Sequence, residues 1–157
     1  MEILLTKKLD NILIIGIGNN TRQDDGLGWS FLDALEKEGF NSHNLLYKYQ
    51  LMVEDAEIIS NYETVIFVDA YKKSLKNGFL FEKLNPALKF EFSTHSVPPS
   101  QLLCLCKDIY EKTPNAFVLK IEGFKWEYQI NLSAKAKQNL ENALTKIKAL
   151  NSKGGEN

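Results

Sequence analysis

With 157 residues the chain has the length of one ordinary domain and is too short for two. Its 19 Lys and Arg are interspersed with 20 Asp and Glu, for a formal net charge of -1, so no basic footprint marks a nucleic-acid partner. The opening MEILLTKKLD lacks the charged-then-apolar order of a secretory signal, and no apolar stretch approaches the roughly 20 residues that span a bilayer; a cytoplasmic protein with no membrane partner is expected.

Apolar runs of strand length recur at 12–17, 45–49, 65–68, 78–81 and 116–121, with helical patterns between most of them. This alternation predicts an α/β fold with a mostly parallel sheet of about five strands. The first and third runs are apolar almost throughout, as in strands covered on both faces, and should be neighbours near the middle. A helix is predicted over 26–38, with Leu27, Phe31 and Leu35 on one stripe and Gly39 closing it. A shorter one over 53–60 opens on Glu54 and Asp55, which complement the helix dipole. Residues 72–77 read as an exposed loop after the third strand, and KFEFST at 89–94 as strand-like. A third helix over 98–110 starts at a pair of prolines, which suit an N-terminus and not an interior. Its two cysteines, Cys104 and Cys106, point away from each other at that spacing and read as reduced packing residues. Ser133 is placed to cap a last helix reaching to about residue 150, with Leu140, Leu144 and Ile147 on one face. One domain is thus expected over 1–150, with 151–157 a frayed tail.

Chemistry concentrates after the first run, in NILIIGIGNNTRQDDGLG at 11–28. Gly16 and Gly18 supply two glycines of a dinucleotide fingerprint, but Thr21 stands in place of the third and no P-loop Gly-Lys-Ser/Thr follows. Paired acids would also repel a pyrophosphate, which excludes a nucleotide site on charge as well as spacing. Asp25 lies past the first strand, Asp69 ends the run VIFVD and His95 follows KFEFST. The carboxyl ends of parallel strands meet along one edge, so two carboxylates and an imidazole far apart in sequence can converge there. Such a set suits nickel or zinc, with coordination positions left for water or substrate. Each residue also has a plainer reading: Asp24 or Asp25 as a helix N-cap, Asp69 as a turn residue bonded to its own backbone, and His95 as a loop histidine. His43 falls in a polar turn and is assigned no function. Neither a Gly-x-Ser-x-Gly elbow nor His-Glu-x-x-His occurs, which excludes those two hydrolase designs.

At these residues the chain resembles the hydrogenase maturation proteases, the endopeptidases that process nickel-iron hydrogenase large subunits. The likeness runs through GIGNNTRQDDGLG at 16–28, YQLMVEDAEIISNYETVIFVDA at 49–70 and STHSVPPSQLL at 93–103, in that order. It implies a twisted sheet sandwiched by helices in three α/β/α layers. It also implies that Asp25, Asp69 and His95 are the metal-binding and catalytic residues, with Asp24 an adjacent acid. The implied activity is removal of a C-terminal extension from a large-subunit precursor whose nickel is already inserted and serves as the recognition signal. A recognition or chaperone-like module for the same precursor, binding without cutting, is the alternative.

Overall fold

The computed structural model describes residues 11–91 and 96–155. The five apolar runs become five strands: β1 (Ile12–Ile17), β2 (Leu45–Lys48), β3 (Thr64–Tyr71), β4 (Phe79–Leu84) and β5 (Asn115–Glu122). They form a single sheet in the order β2-β1-β3-β5-β4. All neighbours are parallel except β4, which closes one edge antiparallel to β5. β1 and β3 lie side by side in the interior, as their unbroken apolar character requires of strands with helices on both faces. β4 instead exposes Glu82 and Lys83, charges that discourage a further strand from pairing with the open edge.

Alternation along the strands divides the core into two halves. Ile12, Ile14, Ile66 and Val68 pack against Phe31 and Leu32 of α1 (Leu27–Lys37) and against Leu140 and Ile147 of α4 (Ala134–Gly155). Leu13, Ile15, Val65 and Phe67 face the other way, against Ile59 of α2 (Asp55–Ile59) and Leu102 and Leu103 of α3 (Pro99–Leu105). Each fully buried aliphatic or aromatic side chain of this kind contributes about 1.5–3 kcal/mol, which makes the sheet a rigid platform for the loops at its ends. The result is the expected three-layer α/β/α sandwich.

Four local features differ from the sequence reading. Strand β3 does not stop at Asp69: pairing with β1 ends at Ile17↔Asp69, but pairing with β5 continues through Ala70↔Ile121 and Tyr71↔Glu122. The described part of KFEFST, 89–91, is not a strand. That segment is tied to the start of α3 instead, where Ala87 N donates to Ser100 O at 2.9 Å and Glu91 N to Gln101 Oε1 at 2.8 Å. The third helix changes character after Leu105, with Cys106–Tyr110 forming a π-helical turn that ends on Glu111 at φ 56°. Finally, α4 continues to Gly155, past the expected end near residue 150. Both cysteines are free and buried. Cys106 Sγ meets Ala56 O at 3.2 Å and Cys104 Sγ meets Asp108 Oδ2 at 3.6 Å, so they face different partners as their spacing predicts.

Candidate active site

The turn after β1 is built by residues that the strand end makes necessary. Gly18 takes φ +141° and donates to Lys48 O at 2.9 Å; a Cβ there would lie 2.0 Å from the carbonyl oxygen of Asp25, so only glycine lets the turn fold back this tightly. Asn19 N donates to Asp25 O at 3.0 Å, and the Asn19 side chain accepts from Thr21 N at 2.9 Å, closing the turn on itself. A 3-10 turn, Gln23–Gly26, then leads into α1. Gly28 settles this helix directly onto the sheet, since a Cβ on it would meet Val68 O at 2.6 Å and Ile17 O at 2.7 Å.

The two adjacent aspartates separate in role at this point. The N-cap of α1 is Gly26, with no side-chain cap, so neither aspartate serves as its cap. Asp24 is fully buried and turns into the loop after β5. Its Oδ2 accepts from Phe124 N at 2.7 Å, Lys125 N at 2.9 Å and Ser133 Oγ at 2.7 Å, and its Oδ1 accepts from Ser133 N at 2.7 Å. Burial pushes its pKa up, but these bonds outweigh burial and hold it below the ordinary carboxylate value. Ser133 Oγ accepts in turn from Ala136 N at 3.3 Å, so the predicted cap of α4 is present and is itself fastened to Asp24. Asp24 is thus a clamp between the β1–α1 turn and loop 123–133.

Asp25 turns the other way. Its Oδ1 would lie 3.8 Å from a Cβ on Gly18, immediately past β1, and in register beside the end of β1 stands Asp69. Asp69 Oδ1 accepts from Ala70 N at 2.8 Å, which is the self-bonded arrangement of its plainer reading, yet the residue does more than shape a turn. Burial drives its pKa up to about 7; the Ala70 bond opposes that rise and the negative charge of Asp25 adds to it. Lys120, its register partner on β5, directs its ammonium over the Tyr71 ring at 4.8 Å and makes no ion pair with it. Two carboxylates therefore share the carboxyl edge of the sheet, and neither is in an ion pair among the described residues.

His95 lies outside the described residues. Ser96 and Val97 are described: Val97 is buried in the apolar cluster of Ile15 and Phe67, and its N–H donates to Leu51 O at 3.1 Å. Among the described residues no three His, Cys, Asp or Glu side chains gather as a metal centre. His43 sits exposed in the turn Ser42–Asn44, apart from the acid pair. A polar groove of about 640 Å³ lies at the opposite, amino end of the strands, lined by residues including Asn11, Glu63 and Asn115; it holds neither aspartate.

Beyond the Ser133 cap, the sequence reading gives loop 123–133, which flanks the pair, no role in the site. Gln23 N donates to Gln129 O at 2.8 Å, Glu127 N to Gln23 Oε1 at 3.0 Å and Gly123 N to Tyr71 O at 2.9 Å. The loop is aromatic-rich, and that composition was its only available signal.

No protein-family model and no curated protein matches the chain. Solved structures do match it. The NiFe hydrogenase maturation protease HycI from Thermococcus kodakarensis KOD1 superposes with a TM-score of 0.67 over 95% of this chain and 96% of its own, at 21% identity. The hydrogenase maturating endopeptidase HybD from E. coli gives 0.65 over 92% and 94%, at 19% identity. A hydrogenase 2 maturation peptidase from a Thaumarchaeota archaeon gives 0.63 over 89% and 97%, also at 19%. The chain has the hydrogenase maturation protease fold. Within that fold the carboxyl edge presents two oxygen-donor side chains, Asp25 and Asp69, whose mutual repulsion a cation would relieve. A carboxylate pair fits a divalent ion on donor chemistry, with open positions left for other ligands.

Proposed function

We propose that this protein is a hydrolase, an endopeptidase that removes the C-terminal extension from the nickel-loaded precursor of a nickel-iron hydrogenase large subunit. The observation that carries the reading is the Asp25–Asp69 pair, two carboxylates at the strand ends of a maturation-protease fold, one of them near neutral titration. Nickel is part of the substrate in this reading. It arrives on the precursor's own thiolates, and Asp25, Asp69 and His95 complete its shell; a mixed oxygen and nitrogen set suits an ion of intermediate hardness. Discrimination then follows from the site itself, because without the cation the two carboxylates repel each other and the precursor has nothing to bridge them.

The same pair supplies the proton chemistry. Burial raises the Asp69 pKa to about 7 before a cation binds, so a carboxylate holding a proton near the working pH is freed to act as a base when the precursor's nickel arrives. The Asp69 carboxylate oxygen that does not ligate nickel takes the proton of the attacking water, while the substrate's nickel polarises the scissile carbonyl as a Lewis acid. No helix among the described residues is long and apolar enough to cross a membrane, and we place the reaction in the cytoplasm with the precursor as partner.

The test is incubation of the purified protein with a nickel-loaded large-subunit precursor, scoring loss of the extension by mass beside Asp25→Asn, Asp69→Asn and His95→Ala. Cleavage by the parent and its loss in all three variants is the expected result. Nickel-dependent binding without cleavage would make the protein a recognition module instead.

A further inference from the structure

Loop 123–133 is unusual in being both clamped and apolar on its outer side. Its backbone is fixed by Asp24 and Gln23, yet Tyr128 is 82% exposed, Ile130 69% and Phe124 39%. Apolar side chains held out to water on a rigid loop, next to a candidate active site, mark a surface that a partner covers. The cations around it say what kind of partner. The Arg22 guanidinium lies 5.2 Å from the Tyr128 ring, Lys72 Nζ 5.1 Å from the Trp126 ring and Lys135 Nζ 5.7 Å from the Phe124 ring. None of these three cations is in an ion pair among the described residues; Arg22 Nη2 donates to Trp126 O at 3.4 Å, and its buried Nε has no hydrogen-bond partner. The loop's own single acid is Glu127. Cations already stacked on aromatic rings lose little freedom when they bind a carboxylate.

We propose that loop 123–133, with Arg22 and Lys72, is a docking surface for an acidic, partly apolar polypeptide segment. Resting on the endopeptidase reading, this segment is the part of the precursor that flanks the cleaved bond. The arrangement is an acidic centre with a basic, aromatic rim: Arg22 O accepts from Asp25 N at 3.1 Å, so rim and centre belong to one turn. A substrate carrying a cation at the reacting position and carboxylates beside it matches both parts, and either part alone would repel the wrong half. Charge complementarity of this kind sets register as well as encounter rate.

Two double variants test it in the cleavage assay with nickel-loaded precursor: Tyr128→Ser with Ile130→Ser, and Arg22→Gln with Lys72→Gln. Each is expected to raise KM about tenfold or more, as loss of a docking contact does, with kcat within about twofold of the parent. For the cation pair the difference from the parent should shrink in ~0.5 M salt, where exposed charges are screened. Ile109→Ser, an exposed apolar residue before the amino end of β5, serves as the control and should leave KM unchanged. An unchanged KM in both double variants overturns the docking surface and leaves the endopeptidase standing. Should the parent not cleave, the affinity for the same precursor is measured directly. Weakening of about tenfold or more by both double variants then upholds the surface without the peptidase, and no weakening, or no binding by the parent, overturns it.

Discussion

Asp24 and Asp69 are both carboxylates withdrawn from water at the same end of the same sheet, and they titrate on opposite sides of the ordinary value. Burial pushes each one up. At Asp24 four hydrogen bonds, three of them from backbone N–H groups, reverse the effect. At Asp69 one bond from Ala70 does not, and the charge of Asp25 works in the other direction. Burial is the largest cause at both, and the number of donors aimed at each carboxylate decides whether it is overcome. A saturated carboxylate is a fixed charge that organises backbone, whereas a poorly satisfied one beside a like charge is a proton acceptor looking for a cation. Two residues of the same type, with one of the pair next in sequence to the clamp, thus serve structure and chemistry separately.

That contrast predicts different losses when each region is broken. Asp25→Asn or Asp69→Asn should lower precursor cleavage by ~10³-fold or more, the scale of removing a group that acts on the transition state, or about 4 kcal/mol. Neither change should lower the melting temperature, because each removes one of two repelling charges; a melting temperature that falls with activity would mean that the pair is structural. Asp24→Asn should do the reverse. An amide in this place must turn its NH2 toward backbone donors, and an unsatisfied buried pair of this kind costs about 2–4 kcal/mol, read as a lower urea midpoint together with faster amide exchange at Phe124 and Lys125. Ser133→Ala removes both the cap on α4 and one bond to Asp24, and about 1–2 kcal/mol is expected. Retention of the full midpoint in Asp24→Asn would break the clamp.

How far the sequence reveals these two regions depends on what each one is made of. β1 and β3, the packing face of α1 and the Ser133 cap follow from periodicity and local chemistry, and the structure has them where the pattern puts them. Asp25 and Asp69 are placed at one edge by parallel topology alone, because strand ends are where parallel strands deliver their next residues. The clamp was not legible: its bonds join Asp24 to residues a hundred or more positions away, and the only local options for such an aspartate were caps and turns. The described part of KFEFST, 89–91, departs from the strand reading for a related reason. Its alternation satisfies a strand's local preference, but its described backbone finds the first turn of α3 in place of a sheet edge, and β propensity yields to tertiary context. The fate of β3 past Asp69 was likewise decided by a neighbour, β5, whose pairing continues after that of β1 has ended.

The pH dependence of stability separates the two carboxylates most cleanly, since they should give it opposite slopes. For Asp24 the folded pKa lies below the unfolded one, so its contribution is present above the ordinary carboxylate range and is lost as pH falls through the folded value. For Asp69 the unfolded chain releases its proton near 3.8 and the folded protein near 7. Between these values the native state binds more protons than the unfolded state, so stability declines as pH rises across that window and is level above it. Urea unfolding followed from pH ~3 to ~8 should therefore show an acid limb that Asp24→Asn weakens and a decline toward neutrality that Asp69→Asn removes. Asp25→Asn should shrink that decline without abolishing it, because burial, the larger cause, remains when the neighbouring charge is gone. A decline that persists unchanged in Asp69→Asn would assign the titration to another group and dissolve the contrast between a saturated and an unsatisfied carboxylate.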